Sequence, residues 1–444
     1  MSRRLSLVAA ALLAVGIASP AWAQPSEALG LADAVILARN NSLAAEQSRQ
    51  QVHVTEADRA VTLSSVLPNL GVQSSASYQQ LPPSQASAFS GGAFGGIVGF
   101  PQTGAYVDTT LSASQVIFDA FATRDQLTMI DDNLAINRLL MIQAEQDAML
   151  QAAVAYFDVL RSEGLANLAE ETVKQAQEHM RLGELRLKAG TGTRAEVLQQ
   201  RAQLANAQGQ LTQTRNAVNL ARLQLSNVLN APVGDRPLAA DPVVPPVAVE
   251  LGRDLKLALE RRTEVRQVDA KQHADETRVS LESRALWPNL TASGRYAQRN
   301  LNDGQFTAGV AMNWTLFDSF KVRNKMATAL ETARVTKLQA EQTRQRIALE
   351  IRQQFQSRLE AQQRVSTARE GLASAQEAYR LALKRFQVGV ATPFEVTDVQ
   401  TTLVQAGNNY VQAVNDARVA EVRLARALGY DLAALLARGA KARV

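Results

Sequence analysis

The chain contains no cysteine. That excludes disulfides and thiolate metal sites, and it leaves no thiol for a bacterial lipid anchor. It does not speak against export, because a large chain needs no covalent staples. Histidine is scarce too: His53, His179 and His273 are the three, far apart and each expected on a helix surface. With no nucleophile elbow, phosphate loop or metal-ligand spacing beside them, the chain offers no catalytic residue, no cofactor and no metal site. Beyond the first two dozen residues no apolar run approaches the ~20 residues that a membrane-spanning helix requires. Any part of the chain that crosses a bilayer must therefore do so as strands of a closed barrel.

The apolar run that does exist lies at the start. Arg3 and Arg4 precede a run from Leu5 to Ile17, and Ala21-Trp22-Ala23 follows. This is the pattern of a cleaved signal peptide covering 1–23, with Gln24 as the mature N-terminus. Setting Arg3 and Arg4 aside lowers the formal charge from +5 to +3. The remaining charges alternate along helical segments instead of clustering, so no nucleic-acid partner is expected.

The most informative feature is self-similarity at long period. Phe118-Asp119-Ala120-Phe121 matches Phe317-Asp318-Ser319-Phe320 at an offset of 199. The same offset carries Leu160 onto Leu359, Gly190 onto Gly389, Thr193 onto Thr392 and Glu196-Val197 onto Glu395-Val396. Upstream, Leu67-Pro68-Asn69-Leu70 matches Trp287-Pro288-Asn289-Leu290 at an offset of 220. The first copy therefore holds an extra insertion, the stretch around Ser90-Gly91-Gly92-Ala93-Phe94-Gly95-Gly96. The division expected is 24–230 for the first copy, 231–250 for a proline-rich linker, 251–429 for the second copy and 430–444 for a tail.

Each copy reads as a helix, two strands, a very long helix, a tight turn and another long helix. The first helix, Leu31 to about Val66, breaks near Asn40-Asn41-Ser42 and ends before Pro68, which drives its predecessor out of helical geometry. Strands are expected at about 69–80, 105–117, 289–299 and 305–316. Their residues alternate: Phe306, Ala308, Val310, Met312, Trp314 and Leu316 share one face, while Gln305, Thr307, Gly309, Ala311, Asn313 and Thr315 share the other. Such segments suit tilted membrane strands with a small, polar lumen side. Trp287, Trp314, Phe118 and Phe317 would form an interfacial aromatic belt. Periodicity alone also admits one sheet of a soluble α+β domain, or a periplasmic coiled-coil spacer outside the membrane.

The helices favour the membrane reading. From Phe121 to Leu187 and from Phe320 to Phe386 there is no proline, giving spans of about 100 Å at 1.5 Å per residue. Their apolar stripe is narrow: Leu139, Ile142, Leu150, Phe157 and Leu160 in one, Val335, Leu338, Ile351, Phe355 and Leu359 in the other. Narrow seams with polar flanks suit side-by-side packing in a wall one helix thick. Four strands cannot close a membrane barrel, since known ones begin at about eight. Several chains must share one barrel, and three give twelve strands.

Signal peptide, duplication, Pro-Asn-Leu before each hairpin, Phe-Asp after it and paired glycine turns together resemble the TolC-like outer-membrane efflux proteins. The resemblance covers nearly the whole mature chain, and the absent cysteine places it with the branch that carries no lipid. It implies a mainly α fold with a small β part. Three chains would form an α-barrel tunnel through the periplasm, continuous with a twelve-stranded barrel in outer-membrane lipid. It also implies a homotrimer working with a periplasmic adaptor (membrane fusion protein) and an inner-membrane pump or ATP-driven exporter. The cargo expected is small molecules, drug or metal, with a type I protein secretion system as the alternative.

By the same resemblance the two helical turns are adaptor contacts, with Gly190, Thr191, Val388, Gly389 and Val390 the residues concerned. Thr193-Arg194-Ala195-Glu196 and Thr392-Pro393-Phe394-Glu395 both read as capping boxes. Glu395 and Asp398 match acidic positions that ring a closed aperture, and Glu196 an acidic position of its gating network. Asp398, three residues beyond Glu395 on the same helical face, is the one that capping does not explain. Ala391 stands where the family has an arginine and Phe386 where it has a tyrosine, so the resemblance leaves two outcomes open: a network rewired through Arg194, or a weaker one.

Overall fold

A computed structural model of the protein describes residues 28–79, 104–239, 242, 244–245, 251–299, 302–388 and 390–441. The expected signal peptide, the glycine-rich insertion around Ser90–Gly96, Gly389 and much of the linker lie outside the described residues. The first copy comprises α1 (Leu31–Asn41), α2 (Leu43–Ser64), β1 (Asn69–Gln79), β2 (Gly104–Phe118), α3 (Ala122–Lys188) and α4 (Arg194–Leu229). The second repeats it with α5 (Leu251–Arg261), α6 (Thr263–Arg284), β3 (Asn289–Arg299), β4 (Asn302–Asn313), α7 (Lys321–Gln387) and α8 (Pro393–Ala427). The segment following the second copy is not a loose tail but a further helix, α9 (Leu432–Lys441), whose Leu432 and Leu436 are buried.

The four strands form one antiparallel sheet in the order β1-β2-β3-β4. Register puts Val72 opposite Leu111, Leu111 opposite Tyr296, and Tyr296 opposite Phe306, so one face carries the large apolar side chains of all four strands. These are exposed: Phe306 is 71% and Val72 73% accessible. The opposite face is mostly small and polar: Gly71 stands opposite Ser112, Gln73 opposite Thr110, Ser114 opposite Ser293 and Ser293 opposite Gly309, with Arg295 between Ser112 and Thr307. β4 runs from Asn302 to Asn313, three residues earlier than the alternation suggests. Its ladder stops where Asn313 meets Asn289, because the preceding Pro288 has no N–H to extend it. Trp314 leaves the sheet and donates its indole N–H to the Leu286 carbonyl at 3.0 Å.

Each strand-to-helix junction is built identically. Ala120 and Phe121 have φ of 54° and 67°, and Ser319 and Phe320 have 57° and 65°. Two consecutive left-handed residues turn the chain sharply from the sheet into the long helix. Asp119 accepts the Thr123 amide at 2.7 Å, and Asp318 accepts that of Val322 at 2.7 Å, satisfying a first-turn donor that has no partner within the helix. Phe118 and Phe121, like Phe317 and Phe320, meet edge-on with centroids 5.8 Å apart. The Phe-Asp-x-Phe motif is thus the sequence trace of a backbone turn.

Next to the sheet the helices lie side by side in the order α2-α3-α6-α7; towards the far end the order is α4-α3-α8-α7. Only at mid-length does a true core form. There α1, α5, α9 and the ends of α4 and α8 wrap Met149, Ala152, Tyr156 and Phe157 of α3 and Ile347 and Ile351 of α7. Tyr156 donates its hydroxyl to the Leu29 carbonyl (2.8 Å), with the Ala239 carbonyl at 3.1 Å; burial pushes its pKa up to about 12.

Along the α3–α8 seam, two glycines allow close approach. A Cβ on Gly164 would lie 2.9 Å from a Val411 methyl, and one on Gly407 2.8 Å from Leu168. Val411 is β-branched and stiff within its helix, so it cannot swing aside. Gly164→Leu is expected to cost about 1–3 kcal/mol through overpacking, read as a lowered unfolding midpoint of the detergent-solubilised protein. Adding Val411→Ala should recover part of it; no recovery would place the strain elsewhere.

Candidate functional site: the helical tips

The chain turns back at two places far from the sheet. In the first turn Gly190 adopts φ of 73°, the left-handed conformation that ends a helix cheaply only at glycine. The amides of Thr191 and Gly192 both donate to the Arg186 carbonyl, at 3.0 and 3.1 Å. In the second turn Val390 and Ala391 donate likewise to the Arg385 carbonyl, at 2.9 and 3.2 Å. The two tips thus share a backbone but not a surface. Gly190, Thr191 and Arg194 are exposed on the first. The second exposes Val388 (74%), Val390 (68%) and Phe394 (71%). Phe394 joins the exposed apolar surface of this tip, an aromatic directly after the N1 proline where the helix starts in solvent.

The capping residues behave differently in the two copies. Thr193 and Glu196 form a complete box, each side chain bonded to the other's amide at 3.2 Å. In the second copy only half of the expected box exists. Thr392 accepts the Glu395 amide at 3.3 Å, but the Glu395 carboxylate turns to Arg385 at 2.5 Å. A guanidinium within reach is a stronger partner for a carboxylate than a neutral amide.

Arg186, the counterpart of Arg385 at the offset of 199, has a different role. Its guanidinium lies 3.8 Å above the centre of the Phe386 ring and donates to the Phe386 carbonyl at 2.8 Å. Phe386 is buried with Ala382, Ala391 and Val396. An arginine at position 391 would have no room, so the small residue there belongs with the aromatic beside it. The link between the first and second hairpins therefore runs through Arg186. Arg194, the candidate for a rewired network, is exposed and has no side-chain bond among the described residues.

Three further contacts join the hairpins. His179 meets the Tyr379 hydroxyl at 3.0 Å, with the rings edge-on. Gln203 donates to Thr397 at 3.2 Å, and Gln400 to Gln175 at 3.2 Å. His179 is not the surface residue expected, whereas His53 and His273 are largely exposed. Burial lowers the His179 pKa below its ordinary value, against the opposing pull of neighbouring Glu178. Asp398 is exposed and its carboxylate has no partner among the described residues. With Glu395 paired to Arg385, Asp398 is an unpaired exposed carboxylate of the second tip among the described residues.

A model of the family described as outer membrane efflux protein matches residues 34–231 and 255–430. The chain belongs to that family. BepC, an outer membrane efflux protein of Brucella suis, is 25% identical over 435 residues, spanning 95% of this chain and 90% of the relative. The toluene efflux pump outer membrane protein TtgF of Pseudomonas putida is 24% identical over 423 residues, spanning 89% and 82%. The crystal structure of VceC from Vibrio cholerae superposes with a TM-score of 0.75 at 16% identity, covering 90% of this chain and 96% of that one. The protein is therefore an outer-membrane efflux component and not an enzyme. A spacer outside the membrane, left open by periodicity, is set aside by this membership.

Arg186→Ala removes both the ring stack and the charged hydrogen bond, an interaction of roughly 1–3 kcal/mol. Faster amide exchange across 380–400 than in the parent is expected. His179 adds a pH dependence of definite sign. Its folded pKa lies below 6.5, so the unfolded seam binds protons first, and the stability of the contact is full above that value and lost as pH falls through the depressed one. Protection of the tip amides, taken relative to their intrinsic exchange rate at each pH, should fall between neutral pH and pH 5 in the parent and fall less in His179→Gln.

Proposed function

We propose that three copies of this chain close into one outer-membrane conduit, a twelve-stranded barrel continuous with a helical tunnel. The observation that carries it is the matched open edge. The sheet runs β1-β2-β3-β4 and the helical layer α2-α3-α6-α7, so both layers end at the same two borders. Apolar residues stand exposed along those borders: Val54 and Val61 on α2, Leu198, Leu220 and Leu223 on α4, Val335, Leu338 and Leu349 on α7. A neighbouring copy's α2 and α4 against α7 would cover them, as β1 against β4 would pair the strand edges. The exposed apolar face of the sheet is the lipid side of such a barrel, and the serine- and threonine-rich face its lumen.

The tips supply the contact with a periplasmic adaptor: Gly190 and Thr191 on the polar tip, Val388, Gly389 and Val390 on the apolar one, with Phe394 added. Beyond the adaptor stands an inner-membrane pump. The cargo is small molecules, a reading supported by relatives named for efflux of toluene and export of pyoverdine. Asp398, three per assembly, rings the narrow end and favours cations there. Glu395 is held by Arg385 and Glu196 by its box, so both contribute less.

Leu338 is 65% exposed in the single chain. Leu338→Glu places an unpaired charge in the seam, and the expected outcome is loss of the detergent-resistant trimer on native gels and of pore formation in liposomes. A stable, conducting single subunit would overturn the proposal. Asp398→Ala should change single-channel conductance and weaken block by divalent cations, whereas Arg194→Ala should leave the block unchanged.

A further inference from the structure

The polar face of the sheet carries charge in one place that the conduit's architecture does not require. Among the described side chains of that face the charged ones are Asp108 on β2 and Arg295 and Arg299 on β3. Arg299 and Asp108 sit opposite one another in register and form an ion pair, with Nε to Oδ1 at 2.8 Å and Nη2 to Oδ2 at 3.4 Å. Their charges cancel. Arg295 lies four residues nearer the helices, about 13 Å along the strand, opposite Ser112 on one side and Thr307 on the other. Its only hydrogen bond among the described residues is a neutral one, to the Thr110 hydroxyl at 3.2 Å. The side chain is exposed.

Its surroundings sharpen the point. The residues around it on the same face are Ser112, Thr110, Ser293, Thr307, Gly309 and Gln305, none of them charged. Arg295 is the charged side chain standing among these hydroxyls, small groups and the neutral Gln305. β1, which brings Gly71, Gln73 and Ser75 to this face, contributes no charge to offset it, and the chain from 80 to 103 holds no charged residue at all. The one further acid of the β3–β4 hairpin, Asp303, falls within β4 next to Asn302, the partner of Arg299, and so at the level of the Arg299–Asp108 pair, four residues from Thr307.

We infer that Arg295, repeated three times around the barrel lumen, forms a basic ring that binds anionic groups of permeating solutes, carboxylates or phosphates, and biases the barrel towards anions. The inference rests on the trimeric barrel proposed above and adds a selectivity element to it. An arginine fits this role because its guanidinium stays charged at any pH the envelope meets and offers paired donors matching a carboxylate or phosphate. Rings of arginine are how anion-conducting pores gain their preference. The ring stands in the barrel and Asp398 at the tips, so the two act on a solute one after the other. Anionic cargo would be repelled at the narrow end and received at the wide one.

Distance across the lumen sets the conditions of the test. At 0.01 M salt the screening length is about 30 Å, at 1 M about 3 Å. The ring therefore acts over the whole cross-section only in dilute salt. Purified full-length protein is reconstituted into planar bilayers under a potassium chloride gradient, and the reversal potential is read for the parent, Arg295→Gln and Arg295→Glu. Each is also read in an Asp398→Ala background, so that the narrow end does not mask the barrel. The expected result is an anion-to-cation permeability ratio lowered on the order of twofold by Arg295→Gln and further by Arg295→Glu. The shift should be present in dilute salt and absent near 1 M. Block by added inorganic pyrophosphate should weaken in the same order. Channels that form at the parental frequency with unchanged reversal potential and unchanged pyrophosphate block would overturn the basic ring. Failure of the parent and all variants to form channels would instead strike the conduit reading itself.

Discussion

A strand edge in hydrocarbon has no water to take its amides and carbonyls, and each orphaned group costs several kcal/mol. β1 and β4 both present such an edge, over segments of eleven and twelve residues. Nothing else among the described residues covers them. The chain's lipid-like outer face and its open borders are therefore incompatible with a solitary subunit in the membrane. Closure of the sheet also dictates the helices. Because the order β1-β2-β3-β4 continues as α2-α3-α6-α7, subunits that zip the strand edges bring α7 of one against α2 and α4 of the next. The exposed leucines and valines on those helices are what a folded single chain leaves unfinished.

Duplication supplies most of this architecture twice, and the differences between copies show where function was added. The junctions are conserved to within a few degrees of φ, the Phe–Phe contacts to the same centroid distance, and the long helices to the same 67 residues. At the tips the copies diverge. Arg186 and Arg385 occupy equivalent positions, yet one lies on Phe386 across the hairpin boundary and the other holds Glu395 within its own hairpin. A strictly symmetric pair would join the hairpins by two equal links. Here there is one arginine link, and the other arginine is paired with Glu395 of its own hairpin.

Much of this was legible in the sequence because it rests on local or periodic signals. The 67-residue helices follow from absent proline, the hairpins from alternation, and the turn glycine from its place at a helix end. Other features are tertiary and left no such trace. The Thr392–Glu395 spacing reads as a capping box, but Arg385, ten residues earlier in sequence, takes the carboxylate only because the turn brings it back. Arg194 looked like the replacement gate arginine by proximity along the chain, whereas Arg186 reaches Phe386 across 200 residues. The end of β4 was misplaced because alternation continues through Trp314 and Leu316, while the partner strand has already ended at Pro288. The segment after the second copy hid its helix because Leu432 and Leu436 gain meaning only against the mid-length core.

The distribution of apolar burial along the tunnel has a mechanical consequence. Buried aromatic and branched side chains concentrate in the mid-length belt around Tyr156, Phe157, Ile347 and Ile351. Away from it the seams mix small apolar residues such as Ala169, Ala340 and Ala361 with polar contacts, Asn137 to Thr55, Gln143 to Gln267 and Thr336 to Asp275. Exposed ion pairs such as Arg59–Asp131 add about 0–1 kcal/mol each. A wall one helix thick with such seams can slide or splay at small cost, while the belt resists. The lowest local stability therefore falls at the tips, where a four-residue cluster of Ala382, Phe386, Ala391 and Val396 and a handful of side-chain bonds hold the hairpins together. The fold thus pairs a stiff collar with a loosely held end, and the movable end is the one whose apolar and polar tips face away from the membrane.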